Sequence, residues 1–165
     1  MNSSRNEFKL RIGIDAPISR VYQAWASPSG LESWFLRRAL ITRPGGEKLE
    51  VRSLAAKGDS YEWHWHGYLD DVAVKGKFLD ANGVDHLSFS FADDCPVHIS
   101  LLTECDETVV QLVESTAAID EETIRRRLSE DSKGWVFYLA NLKSILEGGL
   151  DLRNKKLELI NVINS

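Results

Sequence analysis

Basic charge is scarce in this sequence: 20 lysines and arginines stand against 25 aspartates and glutamates, a formal net charge of −5. Without a single-sign field to neutralise phosphates, no nucleic acid is expected as a partner. The one basic run, Arg125-Arg126-Arg127, follows Asp120, Glu121 and Glu122 and precedes Glu130 and Asp131, which is the pattern of a solvated helix face. Long apolar runs are missing too. The longest, Trp135 to Ala140, has six residues, whereas a membrane-spanning helix needs about 20. The opening residues, Met1 to Glu7, carry no apolar core of an export signal. These absences point to a cytoplasmic setting and away from any membrane.

Cysteine is nearly absent. Cys95 and Cys105 flank one expected strand of roughly ten residues, which if straight holds them about 33 Å apart. No disulfide spans that distance, so buried, inert thiols are expected. The sequence also lacks a Gly-x-Ser-x-Gly elbow, a His-Glu-x-x-His pair, a phosphate loop and a dinucleotide glycine pattern. No cofactor is therefore implied. Glycine and proline are not in excess, and hydrophobic and charged shares of 43% and 27% are ordinary for a globular chain. At 165 residues the expectation is one domain, with a core at about 8–153 and a tail at 154–165. Such a length buries roughly 70% of the unfolded surface without a metal or a staple.

What is present has a clear order. Phe8, Leu10, Ile12 and Ile14 alternate with Lys9, Arg11, Gly13 and Asp15, the two-residue period of a half-buried strand. Asp15 or Ala16 can cap a helix that has Pro17 at its first position, and Val21, Tyr22 and Trp25 give that helix its apolar stripe. Ser27-Pro28 ends it and caps a second short helix carrying Leu31, Trp34 and Phe35. Segments of strand character follow at about 38–43, 47–52, 60–68, 75–81, 86–92, 96–104 and 108–116. Turn signals at Pro44-Gly45-Gly46, Lys57-Gly58-Asp59, Asn82-Gly83 and Asp93-Asp94 separate them. Connections this short imply an antiparallel meander.

After Asp120 the period becomes helical, with Trp135, Leu139, Leu142 and Leu146 on one stripe, and Gly148-Gly149 supplies the stop. The span from Asp120 to Glu147 is long for one helix, and Gly134 or the polar cluster Ser129-Glu130-Asp131-Ser132 marks the place for a break. The fold class is thus α+β, each single-faced element burying its stripe on another. The tail holds Leu157, Leu159, Ile160, Val162 and Ile163, which is too apolar for a free end. It docks on its own domain or exchanges onto a second copy in a homodimer.

The densest chemical cluster is Tyr61 to Tyr68. Alternation sets Tyr61, Trp63 and Trp65 on one face and Glu62, His64 and His66 on the other. Phe89 and Phe91 repeat the aromatic spacing, and Trp34, Trp135 and Tyr138 can approach from the helices. These eight rings read either as a cavity wall that stacks on a ligand or as plain core. His64 and His66 share a face, but a zinc site wants at least three protein ligands. Glu62 lies about 13 Å from His66 at strand rise and cannot be the third. No metal is expected. Glu114 reads as a solvent-facing strand residue; were it buried, its pKa would rise, and with His66 it could do general acid or base work.

The stretch from Asp15-Ala16-Pro17 to Trp25, followed by Leu31-Glu32-Ser33-Trp34-Phe35, resembles the first strand and paired helices of the START-like helix-grip superfamily. Gly134-Trp135, Leu139, Asn141-Leu142-Lys143 and Leu146-Glu147-Gly148-Gly149 resemble its branch related to the activator of the heat-shock protein 90 ATPase, the SRPBCC group. The likeness runs from about Phe8 to Arg153. It implies a curved seven-stranded antiparallel sheet wrapped around the long C-terminal helix, with a cavity between them that in many members takes an apolar or amphipathic small molecule. The namesake co-chaperone has a further N-terminal domain that helps it grip its chaperone, whereas this sequence starts at the helix-grip strand. Motifs of this kind specify packing more than chemistry. Three functions follow as expectations: a binder of a small apolar molecule, a cyclase- or hydrolase-like enzyme, and a co-chaperone or protein-interaction module.

Overall fold

Phe8, Leu10 and Ile12 are half-buried while Glu7, Lys9 and Arg11 are exposed, so the expected alternation builds the first strand, β1 (Glu7–Ile14). It appears in a computed structural model that describes residues 6–91, 95–116 and 120–165. Two short helices follow, α1 (Ile18–Ala26) and α2 (Pro28–Trp34). Pro17 is the N-cap of α1 rather than its first helical residue. Ser27 caps α2 as its sequence implies, its hydroxyl accepting the Gly30 N–H at 3.0 Å.

The meander consists of β2 (Arg38–Thr42), β3 (Ser60–His64), β4 (Val74–Ala81), β5 (His86–Phe91), β6 (Cys95–Glu104) and β7 (Glu107–Ser115). With β1 they form one sheet in the order β1-β7-β6-β5-β4-β3-β2, antiparallel throughout. β1 and β2 are its two edges, and the α1–α2 pair carries the chain between them.

The expected strand at 47–52 does not form. Only the bridge between Thr42 and Lys48 survives of it, closed by Arg43 N–H to Glu47 C=O and Leu49 N–H to Ile41 C=O, after which Ser53 N–H turns back onto Glu50 C=O. The strand at 60–68 stops at His64, so Trp65 and His66 belong to the β3–β4 connection. The expected turn at Asp93-Asp94 lies outside the described residues. The β6–β7 hairpin turns on Cys105 and Asp106, both at positive φ (49° and 63°), a two-residue reversal with no glycine to announce it.

The last helix, α3 (Glu121–Leu146), is unbroken. Gly134 and the polar cluster at 129–132 do not interrupt it, since one glycine costs only about 1 kcal/mol in a helix held by packing. Asp120 caps its start through Thr123 N–H at 2.8 Å. At its end Gly148 takes φ 81° and Gly149 N–H returns to Ser144 C=O. Its C-terminal half is tied to β1, where Lys143 Nζ donates to Gly13 C=O at 2.7 Å.

Core-facing residues recur at every second position: Val97, Ile99 and Leu101 on β6, and Thr108, Val110, Leu112 and Glu114 on β7. The helices cover this face. Asn141, fully buried, joins them by donating to Trp34 C=O at 2.7 Å and accepting Leu152 N–H at 2.8 Å. Arg153 donates to the carbonyls of Leu36, Glu32 and Ser33 and so caps the end of α2. The tail is tied down mainly through its backbone. Asn154 binds Lys156 C=O, Leu159 C=O and Ser165 Oγ, while Leu157, Leu159, Ile160 and Ile163 stay half or more exposed. Docking on its own domain accounts for Val162, which is half-buried, and not for these four.

Candidate functional site

Between the open edge of the β3–β5 meander and the N-terminal half of α3 lies a cavity of about 330 Å³. Alternation carries the aromatic side of β3 past its end, so Trp65 still sits 6.4 Å from Trp63, ring centroid to ring centroid. Phe91 closes β5 on the same side, 6.2 Å from Trp65. Phe35, the C-cap residue of α2, stands against Trp65 at 5.5 Å, Trp135 at 5.2 Å and Tyr138 at 5.0 Å. From α3 come Glu130, Asp131, Gly134, Trp135 and Tyr138, one helical face at three- and four-residue spacing. The β3–β4 connection adds Tyr68 and Val72, β4 adds Val74, and Ser165 from the tail completes the rim.

The structure divides the eight rings named from the sequence. Trp65, Phe91, Trp135 and Tyr138 border the cavity. Trp34, Tyr61, Trp63 and Phe89 lie behind them in the packed core, each 3% exposed or less. Trp34 spends its indole N–H on Ala24 C=O at 2.9 Å, and the Tyr61 hydroxyl donates to Ser90 C=O. Tyr61 and Trp63 stack on one another, and Trp63 lies edge-on to Phe89.

Glu114 does not face solvent. It is 1% exposed and accepts the Trp135 indole N–H at 2.6 Å. Burial, together with a hydrogen bond and repulsion from Asp131, pushes its pKa up to about 8. Its protonated form is thereby favoured beside Asp131, the member of the pair that borders the cavity. Val110, Leu112 and Glu114 are same-face positions, and β1–β7 pairing settles which face is inward by setting Phe8 opposite Glu114 just as Leu10 is set opposite Leu112. Tyr138 is also held protonated, its pKa pushed up to about 12 by burial.

His66 stands apart from Glu114. Burial and then the charges of Arg153 and Lys155 lower its pKa and favour the neutral ring. It lies on the β3–β4 connection beside the tail and is not part of the cavity wall. His64 is buried and joins Glu62 Oε1 at 2.9 Å through Nε2. Among the described residues, no group of three His, Cys, Asp or Glu side chains is placed to hold a metal ion, and no helix is long and apolar enough to cross a membrane. Among the wall residues that sequence reasoning did not single out are Phe35, Val72, Val74, Asp131 and Gly134. Phe35 carried a signal, as the aromatic that follows Trp34 at the end of a short helix.

A model of the family described as "Activator of Hsp90 ATPase homolog 1-like protein" matches residues 15–147. A search of the curated proteins finds no match. Among solved structures, a protein of Staphylococcus saprophyticus is similar at 20% identity and TM-score 0.69, over 89% of this chain and 96% of that one. The Aha1 dimer of Colwellia psychrerythraea is similar at 17% identity and TM-score 0.63, over 87% and 97%. CalU16 of Micromonospora echinospora is similar at 20% identity and TM-score 0.64, over 88% and 77%. At these identities the likeness is one of fold.

Proposed function

The chain belongs to the Activator of Hsp90 ATPase homolog 1-like family, and from that premise we propose that it binds a small, largely apolar molecule in the cavity between the meander and α3. One observation carries the reading: a space of about 330 Å³ is left among rings that elsewhere in the same seam pack to contact. A cavity of that size and lining is typical of small-molecule sites. Trp65 and Trp135 lie in its wall, so occupancy reports directly. A panel of small aromatic and aliphatic molecules is titrated while tryptophan emission and the melting temperature are followed. Binding quenches emission and raises the melting temperature. A panel that moves neither removes the reading.

A second reading, general acid or base catalysis, is favoured by the Glu114–Asp131 pair, since a buried carboxyl whose pKa is raised beside a cavity is the means by which a carboxyl acts as an acid at neutral pH. Its check is deuterium uptake next to the carbonyl of a bound aryl ketone, lost in Glu114→Gln. Uptake no faster than in buffer rejects it. As to partners, the exposed Leu157, Leu159, Ile160 and Ile163 and the dimeric Colwellia relative support self-association through the tail. Sedimentation velocity on the full chain and on Ile160→Ser/Ile163→Ser distinguishes this from a monomer.

A further inference from the structure

The cavity has rings on most of its sides and charge on one. Phe35, Trp65, Phe91, Trp135 and Tyr138 offer ring surface, while the α3 edge offers Glu130 and Asp131. Both charged lining residues are acids, and none of the described lining residues is basic. One turn before Asp131 on α3, Arg127 directs a guanidinium nitrogen to Cys95 Sγ at 3.9 Å. Behind Asp131 stands Glu114, 1% exposed, with Trp135 as its other partner.

A neutral apolar molecule filling this space would strip water from Asp131 and leave its charge with only the Glu114 hydrogen bond, and burial of a carboxylate without an opposite charge is costly. A molecule with a positive end would offset that loss. The same positive end is attracted by the negative faces of the surrounding rings, most strongly by indole. Acid and rings thus favour one sign of charge. Resting on the small-molecule reading above, we propose that the cavity takes an ammonium-bearing molecule, its apolar body against Trp65 and Phe91 and its cationic nitrogen beside Asp131, over the rings of Trp135 and Tyr138.

Three probes of one shape test this: benzyltrimethylammonium, its uncharged carbon isostere neopentylbenzene, and the anion phenylmethanesulfonate. Each is titrated by tryptophan fluorescence into the full chain, Asp131→Asn, Glu130→Gln/Asp131→Asn, and Glu50→Gln as a remote control of equal charge change. The quaternary nitrogen cannot lose its charge, so pH does not confound the series. The cation is expected to bind about tenfold more tightly than the isostere, and the sulfonate least. The preference should collapse in Asp131→Asn, with the isostere's affinity kept, and should persist in Glu50→Gln. An isostere that binds as tightly as the cation, or a preference that survives the double variant, overturns the proposal while leaving the small-molecule reading intact. No saturable change with any of the three probes or with the apolar panel removes both.

Discussion

One aromatic seam has two ends, and they differ in what stands across from them. At the packed end Trp25 and Trp34 lie 4.6 Å apart, centroid to centroid, and close over Trp63 and Phe89. At the open end Trp65, Phe91 and Trp135 face a cavity. Ring type is the same at both. What decides filling from lining is the opposing helix: α1 and α2 present Trp25 and Trp34, whereas α3 sets Gly134 and the Asp131 carboxylate beside its one indole, Trp135. An aromatic stripe read by itself therefore cannot distinguish wall from core, because the answer lies on another element.

The largest test of this contrast sets neighbouring tryptophans against each other. Trp63 is fully buried, and Trp63→Ala should cost about 3–5 kcal/mol. Trp65 is half-buried at the cavity edge, so Trp65→Ala should cost far less in denaturant unfolding and far more in ligand affinity. Equal losses of stability would break the distinction between the two ends.

Next in size is the tail that completes the open end. Asn154 is 6% exposed and holds three groups of the tail through one amide. Asn154→Ala should cost about 1–3 kcal/mol, since buried partners lose their bonds, and should speed hydrogen exchange over 156–165. Unchanged exchange would mean that this amide does not anchor the tail.

The acid pair adds a pH dependence that only the open end possesses. Glu114 is raised from 4.5 to about 8 in the folded chain, so between those values the folded state holds a proton that the unfolded state has released. Its contribution is fully present below the ordinary carboxylate range and is lost as pH rises toward 8. The slope is at most about 1.4 kcal/mol per pH unit. Glu114→Gln keeps a donor for Asp131 and an acceptor for the Trp135 indole, and should flatten the decline measured by chemical denaturation from pH 5 to 8. A slope unchanged by the substitution would show that another group carries it.

Much of this architecture was legible in residue order. The period of β1, the cap at Ser27-Pro28, the run of short antiparallel strands and the stop at Gly148-Gly149 each follow from local chemistry that the fold does not override. Leu49 and Val51 give segment 47–52 the alternation of a strand, but its pairing with β2 ends at the Thr42–Lys48 bridge, and alternation does not say where pairing stops. The hairpin between the strands expected at 96–104 and 108–116 forms, but its turn conformation at Cys105-Asp106 is silent in the sequence, since neither residue signals positive φ as glycine does. Half of the ring set proved to border the cavity and half to lie behind it, for the reason that opens this Discussion. Glu114 reads as solvent-facing because glutamate is seldom fully buried, and apolar Val109-Val110 and Leu112-Val113 on both faces of β7 leave its own alternation ambiguous. Only pairing to β1 resolves that, and pairing is a long-range fact.

The smallest effect separates the two ends most cleanly, because it uses glycine at both. At the packed end a Cβ on Gly76 would meet the Tyr61 ring at 2.5–2.6 Å and Ser90 Oγ at 2.7 Å, so any side chain there must displace the core. On α3 a Cβ on Gly134 would meet no heavy atom within 4 Å. Gly134→Ala should therefore stabilise the protein by about 0.5–1 kcal/mol, the helix-propensity gain with no steric cost. Gly134→Phe should retain most of the fold's stability yet abolish binding, since the ring would occupy the ligand's space from the cavity's own wall. The measurements are a urea midpoint and a fluorescence titration on the same two variants. If alanine destabilised, the space beside α3 would be filled in solution, and the difference between the ends would vanish. If phenylalanine left affinity intact, the ligand would be held elsewhere.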